Sequence, residues 1–466
     1  MLFNTGVFIF LFLPAVLLVF HFLASRRWIR MSLAVLLLAS CIFYAWANPI
    51  FIWIPLVSGV FNFYWGQRLR MSPTRANLFI GLVFNLGLLG YWKYANFIGV
   101  TLLHAGVIHA TWAKVLLPIG ISFYTFKGIA YLLDTYRKSE VVAGSDSLLH
   151  FLLYFLFFPD AIAGPIVRHY QFLPQLSSDI FHFDSEHFSR GFVLFNIGLF
   201  KKLVIADRLA RWVHDPFVQV HQLAFFSSWT AAVTFGLQLY FDFSAYSDMA
   251  IGIARMFNIQ LPINFDSPYK SKSIIEFWRR WHITLSFFLR DYLYIPLGGN
   301  RRGTPRQVIN LWTTMVLGGL WHGANWTYVL WGAWHGFMIS LNHLWSLRGR
   351  ALPGWLGQTV TLAGVAFGWA LFRSASLTDI AGFVQAMTGL KGLYCTSTSS
   401  GDPFFPHFTQ KLWLITTGSI ALWMPNSQQI AARFRPVPWM IALVVLLFLK
   451  NCFSLNSITE FLYYKF

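Results

Sequence analysis

Long apolar runs recur from one end of the chain to the other, separated by short polar stretches. They fall at about 6–23, 32–47, 50–65, 78–92, 95–108, 147–163, 191–206, 225–241, 308–320, 324–345, 358–372, 412–424 and 437–449. Runs of this kind read as membrane helices, because crossing the hydrocarbon core takes roughly 20 apolar residues in α conformation. The strict alternation of barrel strands is absent. Several runs are short or interrupted by Gly or Pro, so the pattern predicts about ten to thirteen segments, some of them re-entrant. The first, GVFIFLFLPAVLLVFHFL, has no basic region before it and no small-residue cleavage site after it, and is read as a retained helix.

Three polar stretches break the pattern. DTYRKSEVVAGSD (134–146) reads as a short loop, and KGLYCTSTSSGDPFFPHFTQK (391–411), rich in Ser, Gly and Pro, reads as an exposed one. The third, 262–306, is PINFDSPYKSKSIIEFWRRWHITLSFFLRDYLYIPLGGNRRGTPR. It interleaves eight cations (Lys270, Lys272, Arg279, Arg280, Arg290, Arg301, Arg302 and Arg306) with Trp, Phe and Tyr. It is too charged to span a bilayer and too aromatic for a solvated tail. Amphipathic helices lying at the membrane interface fit it, with cations reaching headgroups or an anionic ligand.

Composition agrees. Of 466 residues, 56% are hydrophobic and 11% charged, against roughly 25% charged in soluble domains. A net charge of +18 would suit a nucleic-acid partner, but no soluble basic domain is present to hold one. The cations instead cluster in short loops, at Arg26, Arg27 and Arg30 and again at Arg68, Arg70 and Arg75. The positive-inside rule makes both loops cytoplasmic and places the N-terminus outside. Cys41, Cys395 and Cys452 lie far apart and form neither a metal spacing nor a disulfide framework.

Candidate chemistry at membrane depth is sparse. Asp242, Ser244, Ser247 and Asp248 occur in YFDFSAYSDMA, His282 in FWRRWHITLS, and His322 and His335 in two Trp-His-Gly triplets. Asp248 follows Ser244 by four residues, which sets the two on one helical face. On a single helix, His322 and His335 would sit roughly 220° apart and so face different sides. They are no paired metal motif, and no further ligand spacing lies nearby, so no metal is expected. Neither a nucleophile elbow nor a phosphate-binding glycine loop appears. A histidine in an apolar site stays neutral and can accept a proton, which suits a general base that helps a hydroxyl attack an acyl thioester. A polytopic chain with intramembrane Asp and His also suits a transporter or flippase that relays protons without covalent chemistry.

The run FDFSAYSDMAIGIARMFNIQLPINFDSPY, then FWRRWHITLSFFLRDYLYIPLGGN, then GGLWHGANWTYVLWGAWHG, resembles the membrane-bound O-acyltransferase (MBOAT) family, and within it the alginate O-acetyltransferase branch. MLFNTGVFIFLFLP, YWKYANF (91–97), LPIGISFYTF (117–126), IAGPIVRH (162–169) and FGWALFR (367–373) agree with that branch in the same order. In the family, a histidine in the WHG context is catalytic, which implies His322. A supporting polar position about forty residues earlier implies His282 (322 − 282 = 40). His335 resembles a recurrent position without that claim to chemistry. FPD at 158–160 departs from the expected FPH, so Asp160 would alter a hydrogen bond on the pore side.

The resemblance implies an all-α polytopic integral membrane protein of the bacterial cytoplasmic (inner) membrane, with helices around a central pore and interfacial amphipathic helices. It implies a single domain over 1–466, with a catalytic core at about 110–345 and the interfacial cytoplasmic segment at about 262–306. It further implies an O-acetyltransferase whose donor, acetyl-CoA or another acyl thioester, enters below His322. Arg279, Arg280, Arg290 and Asn325 would bind donor or substrate, their cations meeting the CoA phosphates or a carrier protein's acidic face. The acceptor would come from outside, on a periplasmic or extracellular acetyltransferase partner that completes transfer to alginate or a related glycan. Membrane lipid, no bound cofactor and no nucleic acid complete the expectation.

Overall fold

The computed structural model describes residues 1–47, 49–112, 114–137, 147–176, 181–349, 352–394, 404, 406–455 and 461–462. Among these residues the regular structure is helical, with no strand. Five helices in the described residues are long and apolar enough to cross a bilayer by length and composition: Phe8–Ser25, Ile29–Trp46, Pro49–Met71, Arg75–His104 and Gly354–Arg373. The predicted segments 78–92 and 95–108 prove to be one rod, because a π-helical turn at Gly90–Tyr94 joins Arg75–Leu89 to Ala95–His104 without a break. The predicted segment 147–163 is helical only over Leu148–Leu156. Pro159 follows, and a proline disfavours the α conformation of the residue before it. The helix Ile121–Tyr136 takes in the first three residues of the loop predicted at 134–146. Residues 138–146 lie outside the described residues, as do Cys395 and the rest of 395–403 in the predicted loop 391–411, whose last residues already belong to the helix Phe408–Trp423. Cys41 and Cys452 are free thiols.

The chain divides into two compact units. One comprises Met1–Leu199, Tyr246–Ile263 and Ile430–Lys465, the other Phe200–Ala245 and Asn264–Gln429, with Phe466. The first is knitted by aromatic rings and by paired polar groups. Phe3, Phe8, Phe43 and Phe158 are fully buried, with neighbouring ring centroids 5.0–6.3 Å apart. The helices Trp53–Met71 and Arg75–Leu89 are clamped by two amides that bond reciprocally: Asn62 donates to Asn85 Oδ1 at 3.1 Å, and Asn85 donates to Asn62 Oδ1 at 2.9 Å. Gly128 makes room, because a Cβ there would stand 2.6 Å from Asn85 Oδ1. Asp160 is buried and forms an ion pair with the equally buried Lys127 at 2.9 Å, while Lys127 also donates to the Tyr154 carbonyl at 2.9 Å.

The second unit centres on a helical hairpin, Gly303–His322 and Trp326–Ser346, flanked by Gly354–Arg373. Small residues let the hairpin close, as they do between membrane helices generally. A Cβ on Gly319 would lie 2.2 Å from the Tyr328 carbonyl oxygen, and one on Gly332 would lie 2.3 Å from that of Met315. In the same unit, buried Lys202 bonds both Asp242 (2.7 Å) and Asp207 (3.0 Å), so Asp242 sits in a charge-compensated cluster.

Candidate active site

The two Trp-His-Gly triplets sit on different helices. His322 ends the first arm of the hairpin and His335 lies midway along the second. The break between them has a local cause. Gly323 is extended, and a Cβ there would stand 2.1 Å from the Tyr328 ring, so the chain needs glycine for space. Asn325 then caps the second helix, its side chain accepting the Thr327 N–H at 3.2 Å and donating to the Ala375 carbonyl at 3.0 Å.

Trp331 separates the two histidines. Its ring centroid is 5.0 Å from that of His322 and 4.8 Å from that of His335. His335 is fully buried in an aromatic box with Trp278 (5.1 Å) and Trp369 (6.3 Å). Trp278 Nε1 donates to its Nδ1 at 3.3 Å, which puts the proton of the neutral ring on Nε2. Gly368 is the floor of the box, since a Cβ there would lie 2.7 Å from that Nε2. His335 is thus packed on every side.

His322 is different. It keeps 7% of its surface exposed, against none for His282 and His335, and that exposure opens into a cavity of about 450 Å³. Gln307, Leu311, Thr314 and Met315 line it from the first arm of the hairpin, Trp331, Ile339 and His343 from the second. Arg279, Arg290 and Tyr294 complete the wall from the segment 262–306. Both arginines are exposed. Arg290 begins a π-helical turn, Arg290–Tyr294, stacks on Phe287 at 4.6 Å and bonds Asp291 at 2.6 Å. The cavity therefore joins one histidine at its head to two exposed guanidinium groups, which is the charge pattern of a site for an anionic ligand with an apolar or thioester end.

His282 does not line this cavity. It is held behind Trp321, whose ring lies 4.9 Å from His322 and 6.3 Å from His282. The helices Ile274–Arg280 and Ile283–Leu289 break at Trp281–His282, and His282 adopts φ +43°, an uncommon conformation for a side-chain-bearing residue. Such strain persists where the surroundings over-determine it. Here Asn264 does so: its Oδ1 contacts His282 Nδ1 at 3.1 Å and accepts from Thr284 N and Oγ1 at 3.3 and 2.9 Å. Because a backbone N–H can only donate, that atom is the amide oxygen, and His282 Nδ1 is the donor. The lone pair is then on Nε2.

The remaining expected site residues separate. Arg280 lies outside the cavity, bonded to Glu276 at 3.0 Å and to Asp266 at 3.5 Å, and braces the loop before its own helix. Asn325 also lies outside it, as the cap described above. Asn264 and His343 were missed in the sequence. His343 follows Ile339 by four residues and Trp331 by twelve, a spacing that becomes a signal only once the second arm's cavity-facing side is known. Among the described residues, no three His, Cys, Asp or Glu side chains converge as a metal cradle.

The chain matches the membrane-bound O-acyltransferase family over residues 36–377. It is 38% identical over 432 residues to the peptidoglycan O-acetyltransferase of Helicobacter pylori, covering 84% of this chain and 81% of that protein. It is 42% identical over 390 residues to the protein of Pseudomonas aeruginosa named "Probable alginate O-acetylase AlgI", covering 81% and 73%. Similarity extends to the teichoic acid D-alanyltransferase of Streptococcus thermophilus, at 31% over 252 residues, or 50% and 59% of the two chains. A helical chain with several bilayer-length apolar segments, matched over most of its length to acyltransferases, belongs to the membrane-bound O-acyltransferase family and is an acyltransferase of multi-pass membrane type.

Proposed function

We propose that this enzyme takes an acetyl group from cytoplasmic acetyl-CoA and passes it across the bacterial inner membrane for O-acetylation of an extracytoplasmic glycan such as alginate. The observation that supports this reading is the cavity that joins His322 to Arg279 and Arg290. Family membership favours covalent chemistry over transport, and two relatives are named for O-acetylation.

In the reaction, neutral His322 takes the proton of an acceptor hydroxyl while the hydroxyl oxygen attacks the thioester carbonyl. The C–O bond forms, the C–S bond breaks, and the imidazolium returns its proton to the departing thiolate. No acyl-enzyme is needed. Arg279 and Arg290 meet the phosphates of CoA, where fork-shaped guanidinium groups pair well with phosphate oxygens. His282 supports the aromatic wall behind His322 through Trp321. The interfacial segment is cytoplasmic in this scheme and the N-terminus outside, which the clustering of cations in the loops at Arg26–Arg30 and Arg68–Arg75 supports. The acetyl group leaves through a periplasmic acetyltransferase partner.

The test is the purified enzyme in lipid nanodiscs with acetyl-CoA. Wild type releases free CoA thiol, and His322→Ala abolishes this while inserting and purifying normally. Retained turnover in His322→Ala would falsify the assignment.

A further inference from the structure

A cavity of about 610 Å³ in the compact unit that carries the N-terminal helices takes no part in this mechanism. Its walls are the helices Leu13–Ser25, Ser185–Phe200 and Pro438–Phe453, which supply Leu13, Leu17, Phe22, Phe188, Phe192 and Phe448. The one polar side chain among its described lining residues, His21, is already committed, its Nε2 donating to the Met256 carbonyl at 3.0 Å. Water has little to bond there, and an apolar cavity of this kind stays dry. Left empty, its lining would forfeit the dispersion contacts that hold membrane helices together.

Shape and charge together say what fills it. Leu13–Ser25 belongs to the bilayer-length segment Phe8–Ser25, and the cavity follows that segment from Ile9 to Phe22, roughly 20 Å of helix. A volume of 610 Å³ over that length is about 30 Å² in cross-section, where a helix about 10 Å across would need about 80 Å². Leu18, Phe22 and Phe183 are exposed, so the slot opens sideways, toward the space a bilayer occupies. At one end the Arg26 guanidinium lies over the Phe22 ring at 5.5 Å, and Arg26, Arg27 and Trp28 are all exposed. Tryptophan beside exposed cations marks the depth of lipid headgroups. Arg190, on the helix that carries Phe188 and Phe192, is committed to Glu186 at 2.8 Å.

We propose that this cavity binds one acyl chain of an anionic membrane phospholipid, whose phosphate is held by Arg26 and Arg27 at the interface. The chain supplies the packing that the three helices lack, and the arginines supply the preference for a negative headgroup. The bound lipid is thus a structural part of the protein, joining its first helix to two that come about 170 and 420 residues later in the sequence. The inference does not depend on the acyl-transfer reading above.

The experiment uses the full-length protein in detergent micelles with phosphatidylglycerol that carries a photoreactive diazirine midway along one acyl chain. The probe is chased with unlabelled phosphatidylglycerol or phosphatidylcholine of the same chains. Peptides containing Leu17, Phe192 and Phe448 should take the label well above the level at Phe79 and Val83, exposed positions of the helix Arg75–Leu89 that do not line the cavity. Phosphatidylglycerol should displace the probe better than phosphatidylcholine. Arg26→Gln and Arg27→Gln should each narrow that preference about fivefold, the worth of one cation near an anionic surface. Leu17→Trp fills the slot and should cut labelling at Phe192 and Phe448 while leaving Phe79 and Val83 unchanged. The two arginine variants, at exposed positions, test the site even where Leu17→Trp fails to insert. Cavity peptides labelled no more strongly than Phe79 overturn the site, the result expected if a second copy of the chain covers it instead. Equal displacement by the two lipids, or a preference that survives both arginine substitutions, overturns the anionic headgroup at Arg26 and Arg27.

Discussion

Asn264 is the residue on which the geometry of His282 turns. One amide oxygen contacts or accepts from three groups, and it holds His282 at a positive φ with its proton on Nδ1. Asn264→Ala removes that oxygen from a fully buried site. The expected cost is roughly 1–3 kcal/mol, the penalty for stranding buried donors, read as a lower thermal midpoint. Turnover falls as well, though less than in His322→Ala. Unchanged stability and activity would show that the aromatic wall alone positions His282. Asp160 carries a second prediction. Its expected effect was an altered hydrogen bond, and the structure makes it the counter-ion of buried Lys127. Asp160→Asn leaves that ammonium uncompensated and costs about 3–5 kcal/mol. The double variant Lys127→Met/Asp160→Leu removes both charges and should unfold at a higher temperature than the single one. If the single variant matches wild type, the pair is not holding this turn.

At the scale of elements, the hairpin Gly303–His322 and Trp326–Ser346 decides where the catalytic imidazole sits. Its arms approach through Gly319 and Gly332, each of which meets a carbonyl oxygen of the facing helix. Gly332→Ala must push the arms apart, and overpacking of this kind costs about 1–3 kcal/mol. Gly87, which meets nothing within 4 Å, is the control. There an alanine gains roughly 0.5–1 kcal/mol of helix preference. Thermal unfolding of the two variants should move in opposite directions, and a shared direction would refute the close-packing account. The WHG triplets themselves were legible as motifs. That one histidine faces a cavity and the other an aromatic box was not, because a break at Gly323–Asn325 resets the helical phase between them.

For the whole molecule, charge and hydropathy carry the predictions. Loops bearing Arg26 to Arg30 and Arg68 to Arg75 are expected on the cytoplasmic side. Single cysteines introduced at Arg30 and Arg75, in a background without native cysteines, should therefore label only after the membrane is made permeable. Labelling of intact cells at either position would invert the topology and the direction of acetyl flow. Donor binding by the exposed Arg279 and Arg290 should also weaken with salt, since exposed charges are screened beyond about 8–10 Å at physiological ionic strength. The KM for acetyl-CoA should rise with ionic strength, and Arg279→Gln should flatten that dependence. A salt-independent KM would move the phosphates elsewhere.

Much of this was written in the order of residues. Apolar runs determine a helical membrane protein, because the bilayer leaves backbone groups no partners outside helices and closed barrels. Loop cations determine an orientation to be tested, and motif order determines the family. Other features needed the tertiary structure, because they depend on chain segments far apart in sequence. Asn264 reaches His282 across 18 residues and Lys127 meets Asp160 across 33. Arg280 is drawn out of the site by Glu276 and Asp266 while its neighbour Arg279 stays in it. A sequence states which side chains can bear charge or accept a proton; packing decides which of them are left facing an open cavity.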